Sequence, residues 1–489
     1  MKMTLNVRKN LIKIFILIFC IALFLTGCAT VSDVKDKNGN NIYFDEVAYF
    51  NGQVAIIGDY VYYGNSYSAS DGDAFDYNVA TSTGYLNRVN LSNLKYDTTE
   101  DEDGYIDPSP IGTEEILNSR SMVVGFQNQY MFALGEYLYF TAVNNHRDSS
   151  DSVDYTQISL FRVKFNGDGF EELNGHLSTF RCDENTILTV QKGSDGNYYI
   201  IVYAPIDESS SSYSLYSMRI GDRIGEVQTL AENVTSVVIC DENSTERNII
   251  YTTDADNEYY DTTSIKSVDF ATGEDSDYNN NLEVHGSETI LQGRIGDIVI
   301  YYYHSQDIQG IYYKDLTSGN NLFNGSNEFY ITDSSDNGVS QIQKSGDGYI
   351  FVSDRSGSLM YKPTLSLTPN EDENYRDTTP ITLLSEDEYT DILFVDGDYV
   401  YYSSEEDNTI CRVSVKDSNN KETIVTMTSL ISGQCGFDGN YIYFYAQLES
   451  STDGDSDEEE TTTDENYYLY RVDTTGLGQP QLLSKVEKN

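Results

Sequence analysis

The chain has 489 residues, 39% of them hydrophobic, enough for one large all-β body or two or three ordinary domains. It carries 79 acidic against 30 basic residues, a formal charge of −49, which excludes a nucleic-acid or anionic-lipid surface because it repels phosphate. With 42 Tyr, 36 Gly, 7 Pro and no Trp, the composition suits many short strands joined by tight turns.

The first 27 residues read as an address. Lys2, Arg8, Lys9 and Lys13 precede the apolar run "IFILIFCIALFLT", too short for a comfortable membrane span. The run ends in Leu25-Thr26-Gly27-Cys28, which resembles the bacterial lipobox. That resemblance implies cleavage before Cys28, lipid on its amino terminus, and anchorage on the extracytoplasmic face of the cell membrane. Removal of residues 1–27 takes four positive charges and moves the formal charge to −53. Residues 28–44 are then the lipidated cysteine and a polar tether, and 45–489 the body. Lipid rather than protein charge is the expected membrane partner. Four thiols remain, Cys182, Cys240, Cys411 and Cys435, at spacings that match no compact zinc pattern; both disulfides and buried thiols fit them.

The body is a repeat. "GDYVYY" begins at Gly58, "GEYLYF" at Gly135, "GNYYII" at Gly196, "GDIVIY" at Gly296, "GDGYIF" at Gly346, "GDYVYY" at Gly397 and "GNYIYF" at Gly439. A degenerate copy, "RNIIYT" from Arg247, fills the gap between the third and fourth. A second phrase follows each first one, as in "LNRVNL", "LFRVKF", "ICRVSV" and "LYRVDT". An apolar closer such as "ITLL" comes after several, and a strand-like run precedes each first phrase. Each unit therefore reads as four strands. Glycine tolerates a positive φ, and an acid or amide beside it hydrogen-bonds nearby backbone. The pairs Gly58-Asp59, Gly135-Glu136, Gly196-Asn197, Gly296-Asp297, Gly346-Asp347, Gly397-Asp398 and Gly439-Asn440 are the expected hairpins between first and second strands. The run after each is apolar at nearly every position, as in a strand covered on both faces.

Four-stranded units of roughly 40–50 residues predict an all-β single β-propeller of about eight blades, with seven as the alternative if two weak units merge. The Gly-Asp-Tyr-Ile-Tyr-Tyr and Leu-Tyr-Arg-Val words resemble the propeller repeats of the low-density-lipoprotein-receptor-related type, as found in bacterial surface proteins. That type usually has six blades, so the count departs from it.

Chemical signals are sparse. His146, His176, His285 and His304 sit in different units without a partner motif. "TEDEDGYIDP" resembles an EF-hand or dockerin loop through Asp101, Asp103, Gly104, Ile106 and Asp107, but Thr99 and Pro110 stand at the first and last ligand positions. No cofactor is expected beyond a weak calcium site at Asp101, Asp103 and Asp107. Polar insertions at 66–83, 97–118, 144–156, 205–212 and 447–466 are the expected carriers of binding residues. With no catalytic constellation, the expected role is a non-catalytic scaffold that binds a glycan, a peptide or an envelope protein. An enzyme acting on polysaccharide and an accessory subunit of an envelope complex are the alternatives.

Overall fold

The computed structural model describes residues 34–484, apart from 36–38, 51–53, 65–66, 69–83, 100–108, 123–130, 144–157, 173–185, 206–211, 222–224, 242, 255–262, 276–287, 305–308, 319–337, 347, 364–379, 405–407, 428–429 and 448–465. Among the described residues there is no α-helix, and no helix long and apolar enough to cross a membrane.

Strand β1 (Phe44–Phe50) comes first. It is followed by β2 (Val54–Ile57), β3 (Tyr60–Gly64), β4 (Tyr67–Ser68), β5 (Gly84–Asn90) and β6 (Glu114–Met122). The first blade is β2-β3-β5-β6. The second is β7 (Met131–Gly135), β8 (Tyr137–Val143), β9 (Ile158–Lys164) and β10 (Glu171–Glu172), with β1 added beside β7. The third has six strands in chain order: β11 (Ile187–Lys192), β12 (Tyr198–Pro205), β13 (Tyr213–Ile220), β14 (Gln228–Ile239), β15 (Ile249–Asp254) and β16 (Thr263–Val268).

The fourth blade is β17 (Glu288–Ile295), β18 (Ile298–His304) and β19 (Gln309–Asp315). The fifth is β20 (Val339–Ser345), β21 (Gly348–Ser353), β22 (Leu359–Lys362) and β23 (Ile381–Leu384). The sixth is β24 (Asp391–Asp396), β25 (Tyr399–Ser404), β26 (Thr409–Ser414) and β27 (Asp417–Thr426). The last is β28 (Leu430–Phe437), β29 (Tyr441–Gln447), β30 (Asn466–Asp473) and β31 (Gln481–Leu482), with β4 paired to β30.

The molecule is thus a β-propeller of seven blades, the alternative count. The eight sequence units occupy seven sheets because the third and the degenerate fourth unit share β14. Inner strands meet their neighbours around the ring except between the second and third blades, where β1 lies, and β28 against β2 closes it. The closure is reinforced where Tyr63 donates to the Leu483 carbonyl at 2.9 Å and Tyr96 to that of Leu482 at 2.7 Å.

The repeated words encode a clamp. In four blades the Arg of the second phrase lies opposite the fifth residue of the first phrase: Arg88 opposite Tyr62, Arg162 opposite Tyr139, Arg412 opposite Tyr401, Arg471 opposite Tyr443. Each guanidinium sits over the ring that follows the hairpin, at 4.3 Å from Tyr60, 4.6 Å from Tyr137, 4.5 Å from Tyr399 and 4.4 Å from Tyr441. The outer strand supplies the acceptor: Glu114 at 2.5 Å, Glu171 at 2.7 Å, Glu422 at 2.5 Å and, in the last blade, Gln481 at 2.8 Å. Arg88 and Arg412 also reach the next blade, donating to the Phe165 carbonyl at 2.8 Å and the Thr474 carbonyl at 3.0 Å. The clamp ties three strands of a blade together and then ties blade to blade.

A second link joins the fifth and sixth blades. Glu388 caps its own short turn by accepting from the Ser385 amide at 2.8 Å, and it pairs with Lys421 of β27. The Lys421 ammonium, then the Ser385 amide, outweigh the opposing effect of partial burial and hold this carboxyl at about 2, below its ordinary value of 4.5. A depressed carboxylate contributes stability above its unfolded value and loses it as pH falls through the folded one. Glu388→Gln should therefore be less stable than the parent at pH 6 and converge with it as pH falls from about 4.5 toward 2. Both side chains are about a third exposed, so the gap at pH 6 should stay below about 1 kcal/mol. Urea midpoints across that range measure it.

Candidate functional site

Elsewhere a turn separates the outer strand of one unit from the inner strand of the next, as residues 385–390 separate β23 from β24. Between the third and fourth units no such turn is written, and "QTLAENVTSVVI" runs on as the twelve-residue β14. Its first part pairs with β13, from Gln228 opposite Ser217 to Val234 opposite Tyr213. Its second part pairs with β15, from Val234 opposite Thr253 to Ile239 opposite Ile249. The strand serves both halves, so the sheet folds on it. Tyr199, Ile201, Tyr203 and Leu215 of one half then pack on Ile249, Tyr251, Val268 and Phe270 of the other.

The fold requires breaks in register. Glu232 and Asn233 together face one residue, Ser214, and Thr235 is left over between the pairs Val234–Thr253 and Ser236–Thr252. Asn233 takes a φ of 55°, a left-handed value that asparagine tolerates better than most residues. Such bulges turn side chains out of the ladder. Glu232, Asn233 and Thr235 are exposed, whereas Val234 between them is buried.

A cavity of about 840 Å³ opens at this fold, lined by both halves of the sheet. This volume lies in the range that accommodates small ligands. One wall holds Tyr203 and Tyr213, stacked with centroids 4.8 Å apart and 21° between planes. Thr235 and Ser236 of the lining are held from behind by the buried Thr252 hydroxyl, at 2.8 and 2.5 Å, and Ser236 accepts from the Leu291 amide at 3.0 Å. Two charges of opposite sign line the space, Glu232 from β14 and Lys266 from β16. Lys266 stands opposite Tyr251, the register position that holds the clamp Arg in other blades. Ile249 begins this strand in place of a tyrosine, and among the described residues β16 is the last strand of its sheet, bridged beyond only at Val268–Asp275. The unit that lacks the clamp turns its cation toward the cavity.

The residues singled out by sequence lie elsewhere. The seven motif glycines have positive φ, from 56° at Gly346 to 91° at Gly439. The residue after each does more than close its own turn. The carbonyls of Asp59, Glu136, Asp297, Asp398 and Asn440 accept the amide that follows the third strand: Leu91 at 2.7 Å, Phe165 at 3.4 Å, Leu316 at 2.9 Å, Val415 at 2.8 Å and Thr474 at 2.9 Å. Their side chains reach outward. Glu136 pairs with Lys164 at 2.6 Å, Asp398 pairs with Lys416, and Asn197 accepts from Arg219 at 2.8 Å. Asp297 crosses to the preceding unit, accepting from the Thr245 and Glu246 amides at 3.0 and 3.1 Å. Burial opposes ionisation there, but those bonds and Arg294 hold its carboxyl below the ordinary range.

Cys28, Asp101, Asp103, Asp107, Asp347, Cys182 and the histidines other than His304 lie outside the described residues, as do most of the polar insertions. Cys240 is a buried unpaired thiol, pushed up by burial, and Cys411 is unpaired. Of the insertion at 205–212, Ser212 lines the cavity. The β14 residues were missed because their signal is an omission, the missing turn after "QTL".

No protein-family model and no curated protein matches this chain. Among solved structures similar to it, a prolyl endopeptidase shares 9% identity over 88% of this chain and 53% of its own, with a TM-score of 0.39. A puromycin-hydrolyzing peptidase of Mycobacterium tuberculosis shares 10% over 86% and 58%, with a TM-score of 0.38. The Dos1 propeller shares 11% over 91% and 97%, with a TM-score of 0.41. The chain spans about half the length of the peptidases it matches, whose activities are named for those whole proteins. These matches correct the expectation of a non-catalytic scaffold. Peptidases that carry a propeller are among the structures it is similar to.

Proposed function

We propose that this chain is a lipid-anchored, extracytoplasmic propeller that handles peptides, recognising them in the β14 cleft. The basic segment, the apolar run and Leu25-Thr26-Gly27-Cys28 support cleavage after residue 27, lipid on Cys28 and a short tether that ends before the buried Val34. The Tyr-Arg-acid words support a repeat of the low-density-lipoprotein-receptor-related type.

The peptide reading is carried by the placement of Glu232 and Lys266 in the lining of one cavity. A peptide brings ammonium and carboxylate groups for the two charges, amides for the bulged backbone at Asn233 and Thr235, and side chains for the tyrosine wall. A neutral glycan leaves both charges without a counterpart. The acidic field of the whole chain draws cationic peptides toward it.

Residues 29–489, incubated with a set of basic synthetic hexapeptides, test this by equilibrium binding together with mass spectrometry of the recovered peptides. Saturable binding is expected, weakened about tenfold or more by Lys266→Ala or Glu232→Gln, in keeping with hydrogen bonds to charged groups. Peptides recovered unbound and unaltered, or binding indifferent to both substitutions, overturn the reading.

A further inference from the structure

Around the ring, neighbouring inner strands meet directly at β2 and β7, β14 and β17, β17 and β20, β20 and β24, β24 and β28, and β28 and β2. Between the second and third blades a different strand is present. β1 lies beside β7, paired through Ala48 opposite Ala133, Tyr49 opposite Phe132 and Phe50 opposite Met131. Among the described residues its other edge has no ladder partner, and neither does the facing edge of β11, the first strand of the next sheet.

Side chains bridge these two edges. The Val47 amide donates to the Tyr198 hydroxyl at 3.2 Å, the Tyr49 hydroxyl donates to the Val190 carbonyl, and Lys192 pairs with Glu46 at 3.1 Å. The Lys192–Glu46 pair is solvent-exposed on both sides. Exposed pairs of this kind contribute little. β1 is therefore held by a ladder on one side and a side-chain seam on the other. Strands with an open edge are the natural templates for another extended chain.

We propose that β1 is the resident occupant of a strand-acceptor slot between β7 and β11, and that an extended peptide takes its place when β1 withdraws. The slot's chemistry is read from its occupant. It takes small or aromatic side chains at the places of Ala48 and Phe50, which pack against the core between the first two blades, and an acid at the place of Glu46, facing Lys192. Residues 51–53 connect β1 to β2, so β1 competes for the slot at the millimolar effective concentration of a short tether. The slot is closed in the resting chain. Before β1 the chain turns back on itself, with Lys35 bridged to Asn41 and Val34 buried against the first two blades, so this turn has to come away with the strand. This slot is separate from the β14 cleft and does not depend on it.

The test makes the competition intermolecular. A protease site inserted at Gly52 of residues 29–489 is cut after folding, leaving β1 held only by its contacts. A fluorescent peptide of residues 41–51 is then added. Saturable uptake is expected, at least a hundredfold weaker in the uncut chain. The Val47 amide is taken by the Tyr198 side chain of β12, on the side away from β7, so the amide of Ala48, paired with Ala133, is the one turned toward β7, and a peptide carrying Ala48→Pro loses a ladder bond. It should bind at least tenfold more weakly. Lys266→Ala should leave uptake unchanged, which separates this slot from the cleft. Equal binding of the proline peptide, or a cut chain that never exchanges its segment, overturns the proposal. Should the cut chain unfold, hydrogen exchange in the uncut chain decides. β1 amides exchanging ahead of those in β12 and β29 support it, and equal protection contradicts it.

Discussion

Arg88→Ala is expected to destabilise the propeller by about 2–3 kcal/mol, the upper range for losing the charge-assisted bonds of a buried guanidinium, since Glu114 is 35% exposed and stays solvated. The Arg88 side chain is fully buried, among the largest so enclosed. Its loss strips Glu114 of its counter-charge, removes a donor to the Phe165 carbonyl and the Tyr62 hydroxyl, and uncovers the Tyr60 ring. The Tyr62 hydroxyl still donates to Phe165 at 2.5 Å, so one link to the second blade survives. Arg162→Ala is the internal comparison. Glu171 is 47% exposed, so water takes up much of what that arginine provides. Its cost should be nearer 1 kcal/mol, the range for exposed pairs. Urea denaturation of the two variants measures the difference. Equal costs would mean that the clamp acts by composition alone and not through burial.

Phe270→Ala is expected to cost about 3–5 kcal/mol as a large-to-small change in a close-packed core. Phe270 is fully buried and meets Tyr199 edge-on at 5.8 Å, across the two halves of the folded sheet. The cavity left has nothing to fill it except movement of one half on the other about β14. The substitution should therefore weaken peptide binding in the cleft as well as lower the melting temperature, although Phe270 does not line the cavity. A comparable deletion in the fifth blade, Phe351→Ala, should lower stability to a similar degree and leave binding unchanged. Calorimetry and peptide titration of both variants separate the two effects.

How far the fold could be read in advance follows from where the code is written. "GDYVYYG" and "LNRVN" state a hairpin, a strand buried on both faces and its partner within a few residues, so the propeller was legible. The clamp was half legible: Tyr60 and Arg88 stand in the quoted words, but their contact needs the register that sets Arg88 opposite Tyr62. The blade count turned on Gln228–Ile239, where the two ends of one strand belong to different units. Strand propensity cannot say whether such a run bends, breaks or continues. The cleft was illegible for the same reason. Glu232 and Lys266 are unremarkable among 109 charged residues, and only the bulges at Asn233 and Thr235 bring them to one cavity.

The measurement closest to the central claim is photo-crosslinking of residues 29–489 with a basic hexapeptide carrying a benzophenone, followed by peptide mapping. If β14 is where peptides are recognised, saturable labelling falls on Glu232–Val237 and the neighbouring Tyr213 and Lys266, and Lys266→Ala suppresses it about tenfold. Labelling spread over other blades, or saturable labelling that ignores Lys266, would contradict it.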